Sequence, residues 1–245
     1  MKLLEFPHSH YCEKARWALD SKGLKFQAIA IMPGYHIFTV RKYAQDTSVP
    51  VLLDAHHAIQ GSSAIIDYLD NNYPSYLLSP KDPQQLAYCL QLEEKMDKIL
   101  GENIRTILYY SLLAYPKFIR HCFTHSMPRV KQGIFQIFYP ILRKKIYKSY
   151  VISEEKYNEA RYNFEQAMEE IAQMIAQQPY LLGDQFSRAD ISIASMLSLL
   201  VMPEQHPFPW QDVPDKQARE FLNSYKEHPV FKWTENIYQK HRIRS

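Results

Sequence analysis

The chain has little cysteine: Cys12, Cys89 and Cys122 are the three thiols in 245 residues, with no CxxC pair and no metal-ligand spacing. An odd number of widely separated cysteines excludes a disulfide-stapled secreted scaffold and suits reduced thiols in a cytosol. Long apolar runs are missing as well. The longest, around Ile107–Tyr115 and Ile191–Met202, fall short of the roughly 20 residues needed to cross a bilayer. The opening segment MKLLEFPHSHYCEK holds no apolar core of signal-peptide length, so a cytoplasmic location is expected. A formal net charge of +3 gives no argument for nucleic acid, and no repeat or low-complexity segment occurs. What remains is ordinary globular composition, 46% hydrophobic and 22% charged, in a chain long enough to bury a core.

The two halves follow different periodicities. In the first, the pattern predicts strands at Lys2–Phe6, Phe26–Met32, Val49–Leu53 and Ala58–Gln60, with a turn over Asp54–His57. Helices are expected at Tyr11–Ser21, stopped by Gly23, at Ile37–Ala44, and at Ser62–Asn72, which buries Ile65, Ile66 and Leu69. The order is βαβ, a helix, a β-hairpin and a final helix; because βαβ crossovers are right-handed, that order nearly fixes the topology. From Tyr73 to Pro83 the composition turns to Pro, Ser, Asp and Lys, as in a linker. Beyond it every pattern is helical: Gln84–Ser111, Lys156–Gln177, and Ser187 to Met202, apolar enough to sit at the centre of an all-α domain. Ser187 with Asp190 three residues on reads as a capping box for that last helix. The expected division is residues 1–77, a linker at 78–83, and an all-helical domain over 84–245.

Three short segments carry chemistry. The run Pro7 to Trp17 places Ser9 in the turn between the first strand and helix, where unpaired amides and the helix dipole favour an anion. A bound thiol ionises near pH 8.5, and lowering that value by about two pH units requires about 2.7 kcal/mol of preferential thiolate binding. The helix end offers about 0.3–1 kcal/mol. A hydroxyl donating to the thiolate adds about 1.5–3 kcal/mol, which closes the gap. Ser9 is the best-placed donor and Tyr11 the second; the alternative is that Ser9 only caps the helix. In the second segment, Ser48-Val49-Pro50, a proline enters an apolar strand. A cis Val49–Pro50 bond would turn the Val49 backbone outward to pair with an extended peptide. In the third, Gly61-Ser62-Ser63 opens a helix and offers amides and hydroxyls to a carboxylate, or simply an N-cap.

Together these segments resemble the glutathione transferase superfamily. The motifs are Ser9–Cys12, Val49–Asp54, Gly61–Ile65 and Tyr180–Ile191, in that order along essentially the whole chain. The resemblance implies an α/β thioredoxin-like N-terminal domain (βαβ-α-ββα) followed by an all-α C-terminal domain. It also implies a homodimer, glutathione as co-substrate with no metal, and an acceptor site against the helices. Ser9 matches the catalytic serine of theta- and zeta-like classes. Val49 and Pro50 would hold the cysteinyl backbone, and Ser62 with Ser63 the γ-glutamyl carboxylate. His36 and Ser48 would approach the glycyl carboxylate, and His10 and Tyr11 complete the implied site. The activity implied is conjugation of the glutathione thiolate to a small electrophile. Two departures stand out: Gly61 occupies the family's usual Glu, Gln or Asp position, and His10 its usual Pro. Gly61 keeps open a non-catalytic binding protein on the same scaffold. Cys12 lacks a partner thiol for dithiol chemistry, and a small buried role is the other reading.

Between Asn103 and Ser153 there is no Asp or Glu, while nine Lys and Arg residues stand among Tyr, Phe and Ile. The alternatives are a solvated basic face over an apolar core, an anionic substrate, or peripheral membrane contact through 134–150. His121 and His125 stand one helical turn apart without a third ligand in view.

Overall fold

A computed structural model describes residues 1–150 and 152–242. The first part alternates β1 (Lys2–Glu5), α1 (His10–Ser21), β2 (Gln27–Ala30), α2 (His36–Val40), β3 (Val51–Asp54), β4 (His57–Gln60) and α3 (Ser62–Asn72). The sheet order is β2-β1-β3-β4, with β1 parallel to β2 and antiparallel to β3, and β3 antiparallel to β4. This is the expected thioredoxin-like order. The hairpin is tighter than the predicted Asp54–His57 turn: Asp54 pairs with His57, and Ala55, at φ 49, makes the bend. The second helix ends at Val40 rather than Ala44, and the third strand begins at Val51 because Pro50 cannot donate to the ladder.

The second part is helical: α4 (Pro83–Leu112), α5 (Pro116–Thr124), α6 (Arg129–Ser149), α7 (Glu154–Ile175), α8 (Arg188–Val201), α9 (Lys216–Ser224) and α10 (Pro229–His241). Local chemistry sets the starts. Asp82 accepts from the Gln84 and Gln85 amides with Pro83 in the first turn of α4, and Ser187 and Asp190 cap α8 reciprocally. One apolar core joins both parts, running from Leu3, Trp17, Leu52 and Ile65 through Met96, Leu100 and Phe164 to Ile193 and Tyr238. The α8 helix is its axis, with Ile191, Ile193, Ala194, Met196 and Leu197 buried.

Two buried ionic clusters cross that core. Lys14 of α1 meets Glu93 at 2.6 Å and also pairs with Asp97, both on α4. Arg188 of α8 holds Glu93 at 2.6 Å, pairs with Asp67, and donates to the Ser63 carbonyl at 3.2 Å. Burial pushes the Glu93 carboxyl up, but Lys14 and Arg188 outweigh it and hold it below its ordinary range. In the second cluster, Glu13 meets Arg16 at 3.0 Å and Arg242 at 2.6 Å, and Arg16 reaches Glu5 at 2.6 Å. The end of α10 is thereby tied to β1 and α1.

Removing one partner of such a pair strands the other charge. Arg188→Met is therefore expected to lower unfolding free energy by about 3–5 kcal/mol in urea titration. Asp67→Asn touches the same guanidinium from an exposed position, so its effect should stay below about 1 kcal/mol. Equal losses for the two would contradict this assignment.

Candidate functional site

The fold brings most of the expected residues to one edge of the sheet. Leu4 pairs with Val51, so the turn leaving β1 (Phe6 to Ser9) and the segment entering β3 (Ser48 to Pro50) lie side by side. Gly61 joins them by donating its amide to the Pro50 carbonyl at 3.0 Å, and the His36 ring meets Phe6 edge-on at 4.9 Å. The Val49–Pro50 bond is cis, and among the described residues nothing pairs with the Val49 amide or carbonyl. Both α1 and α3 begin at this edge, so their unpaired first-turn amides face it.

Ser9 caps α1, its hydroxyl accepting from the Cys12 amide at 3.4 Å. A hydroxyl has two acceptor lone pairs and one proton, so capping leaves the proton available to a ligand. The same side chain lines a cleft of about 160 Å³ between α1, α4 and α5, walled by Phe6, His8, Tyr109, Phe118, Phe123 and Trp210. His10 and Arg105 also line it, and among the described residues no acid does. Burial first, then Arg105 and His8, push the His10 imidazole down to about 3, and burial takes His8 to about 3 as well. Both rings are neutral at physiological pH. A more open recess of about 500 Å³ between α8, α9 and α10 holds none of the expected residues.

The surroundings of the remaining residues are more specific, and Cys12 takes the small buried role that was one of its two readings. Tyr11 lines the same cleft as Ser9 and His10, while its hydroxyl, raised to about 12 chiefly by burial, donates to the Asp97 carbonyl at 2.8 Å and packs α1 on α4. A Cβ on Gly101 would stand 2.2 Å from that oxygen, which explains a glycine within α4. Cys12 is buried and pushed up to about 12 by burial, which makes it unreactive. Ser63 accepts from Lys14 at 3.0 Å, whereas Ser62 is buried at the first position of α3. The Gln60 side-chain amide was missed by sequence reasoning. It donates to the Asp46 and Ser48 carbonyls at 3.1 and 2.9 Å and to the Ser48 hydroxyl at 3.3 Å, fixing the approach to Pro50. Its signal was its place as the last strand residue before Gly61. Gly61 has φ 96 and ψ 141, a conformation open essentially to glycine, and a Cβ there would meet nothing within 4 Å. The ground in front of α3 is thus clear. Trp210 was also missed, and Arg105 was seen only as one member of the basic stretch, because tertiary packing is what brings α4 and the loop after α8 to Ser9.

This arrangement offers an exposed strand edge for an extended peptide, two helix starts for anions, a hydroxyl donor, and an aromatic cleft beside it. Comparison with known proteins gives the same direction. The glutathione S-transferase N-terminal domain family matches residues 3–81, and the C-terminal domain family matches residues 154–223. A probable glutathione S-transferase of Nicotiana tabacum is 28% identical over 109 residues, 44% of this chain and 47% of that protein. Glutathione S-transferase 1 of Dianthus caryophyllus is 32% identical over 118 residues, 47% of this chain and 52% of that protein. The chain spans about half the length of these curated relatives. A solved glutathione S-transferase of Ceriporiopsis subvermispora, in complex with glutathione, superposes with a TM-score of 0.64 at 16% identity, covering 100% of this chain and 98% of that one. At that identity the likeness is one of fold.

The neutral histidines of the cleft generate a pH test. Their folded pKa values lie below the ordinary 6.5, so the unfolded chain binds more protons, and stability falls as pH drops from 6.5 toward about 3. Each imidazole contributes at most about 1.4 kcal/mol per pH unit. Melting temperatures of the wild type should therefore fall faster across that window than those of His10→Gln, the buried carboxyls being common to both. Parallel profiles would mean that His10 is already protonated in the fold.

Proposed function

Because the chain belongs to the glutathione S-transferase family, we propose that it binds reduced glutathione along the Val49 edge and conjugates its thiolate to a small electrophile in the aromatic cleft. Ser9 donates its hydroxyl proton in a hydrogen bond to the thiolate, while the first amides of α1 lie behind it. The cysteinyl backbone pairs with Val49, and the γ-glutamyl carboxylate takes the α3 amides at Ser62 and Ser63. His36 and Ser48 flank the glycyl end. The thiolate attacks the electrophilic carbon, forming a C–S bond as the leaving group departs or the conjugated system takes up the electron pair. Two chains pair as a homodimer in this reading. The observation that carries it is the Ser9 hydroxyl, which caps α1 through its oxygen and lines the aromatic cleft.

A second reading is favoured by Gly61, which supplies no side chain to hold the γ-glutamyl ammonium. In that case the scaffold is a non-catalytic binding protein. Calorimetric titration with reduced glutathione separates the two, since heat with one site per chain is expected only of the first.

Ser9→Ala should lower kcat/KM for a reactive aryl halide by about 10- to 100-fold, the loss of one hydrogen bond to a charged sulfur. The bound thiol should return toward its ordinary value near 8.5, seen as loss of thiolate absorbance at neutral pH. Glutathione affinity should change little. Unaltered turnover in the variant would remove Ser9 from the reaction.

A further inference from the structure

A separate surface lies on α6, outside the cleft. With about 100° between successive helical residues, Phe135, Tyr139 and Ile146 share the inward face and are buried. Tyr139 anchors that face by donating to the Leu113 carbonyl at 2.7 Å. The opposite face carries Val130, Ile134, Ile137, Phe138 and Ile141, between 41 and 75% exposed. Beside it, Tyr35, just before α2, and Phe38 of α2 are also exposed, and with Ile134, Phe138 and Ile141 they border an apolar groove of about 410 Å³. An exposed helical face is ordinarily polar, and single exposed apolar residues are common, but a continuous stripe calls for a partner.

The charges around the stripe identify that partner. Arg129 and Lys131 flank its beginning, and Lys144, Lys145 and Lys148 continue the same face over the last two turns. No Asp or Glu occurs anywhere from Asn103 to Ser153. A second copy docked on this face would bring two acid-free lysine sets together. A bilayer surface presents the opposite arrangement: phosphates for the lysines, and acyl chains immediately beneath for the apolar side chains. Long lysine stems suit that boundary, lying along the apolar layer while the ammonium stays among the headgroups. Among the described residues no helix is long and apolar enough to cross a membrane, so the contact is peripheral.

We propose that the Val130–Lys148 face of α6, together with Tyr35 and Phe38, docks the protein on an anionic phospholipid surface with α6 lying in the interface plane. The reading is independent of glutathione chemistry, and so is its test. The full chain is sedimented with phosphatidylcholine vesicles and, separately, with vesicles containing phosphatidylglycerol, at low and physiological ionic strength. Binding is expected to the anionic vesicles, weakened by salt. Ile137→Glu/Phe138→Glu should abolish it, and Lys144→Gln/Lys148→Gln should weaken it by about fivefold per lysine. Because the substituted side chains are exposed, both variants should melt with the wild type. Wild-type protein that stays in the supernatant with both vesicle types overturns the proposal. So does binding by both variants as tight as that of the wild type. A vesicle-inert protein whose dimer mass by light scattering falls to monomer in Ile137→Glu/Phe138→Glu assigns the face to a second copy instead.

Discussion

The constraint on which the rest of the structure depends is the placement of Glu93 between Lys14 and Arg188. One carboxylate on α4 is shared by a lysine from α1 and an arginine from α8, and the same arginine reaches α3 at Asp67 and Ser63. Desolvating these groups offsets most of their mutual attraction, so an apolar replacement of similar volume would be no less stable. Their effect is on geometry. Apolar surfaces tolerate sliding, whereas a buried charge with fixed partners does not. The cluster therefore holds the sheet layer and the helical layer in one register, with Asp97 and Ser192 completing it.

That register creates the site. Ser9 and the α3 amides come from the sheet layer, whereas Arg105, Tyr109 and Phe123 come from the helices, and the cleft exists only where the two meet. The Tyr11–Asp97 hydrogen bond and the missing side chain at Gly101 set how closely α1 approaches α4. A second ionic cluster is centred on Glu13, in the first turn of α1. Burial raises the Glu13 carboxyl, but His206, Arg242 and Arg16 outweigh it and hold the value near 2. Thus α1, whose first residues face the ligand edge, is fixed by charge along its buried side through Glu13, Lys14 and Arg16.

The acid-free segment has two different faces. Its inward residues complete a small core with α5 and the C-terminal end of α4, and through Tyr150 they reach the cleft wall. Its outward residues are apolar over three turns and basic over two. The charge pattern alone was compatible with a plain solvated basic face. It is the exposure of Ile137, Phe138 and Ile141 that departs from it, because those side chains could equally have faced inward in a helix of different rotation.

The sequence by itself determined the four strands, the first three helices and the positions of α4, α7 and α8 in their order, because period, caps and prolines act locally, but it did not mark α5, α6, α9 or α10. Short apolar runs marked the strands, and Ser187 and Asp190 marked the start of α8. Ser9, Val49, Gly61 and Ser62 were legible for the same reason: each sits at an element boundary where backbone groups are left unpaired. What only the tertiary structure decided were the relations between distant segments. Nothing near Tyr11 in the chain says that its hydroxyl will meet the carbonyl of Asp97. No local signal brings Arg105 and Trp210 to Ser9, or ties Gln60 to Ser48. Such pairings depend on which of several compatible helix rotations lets the charges of Lys14, Glu93 and Arg188 all find partners at once. That is a condition on the whole packed core, and no window of the sequence contains it.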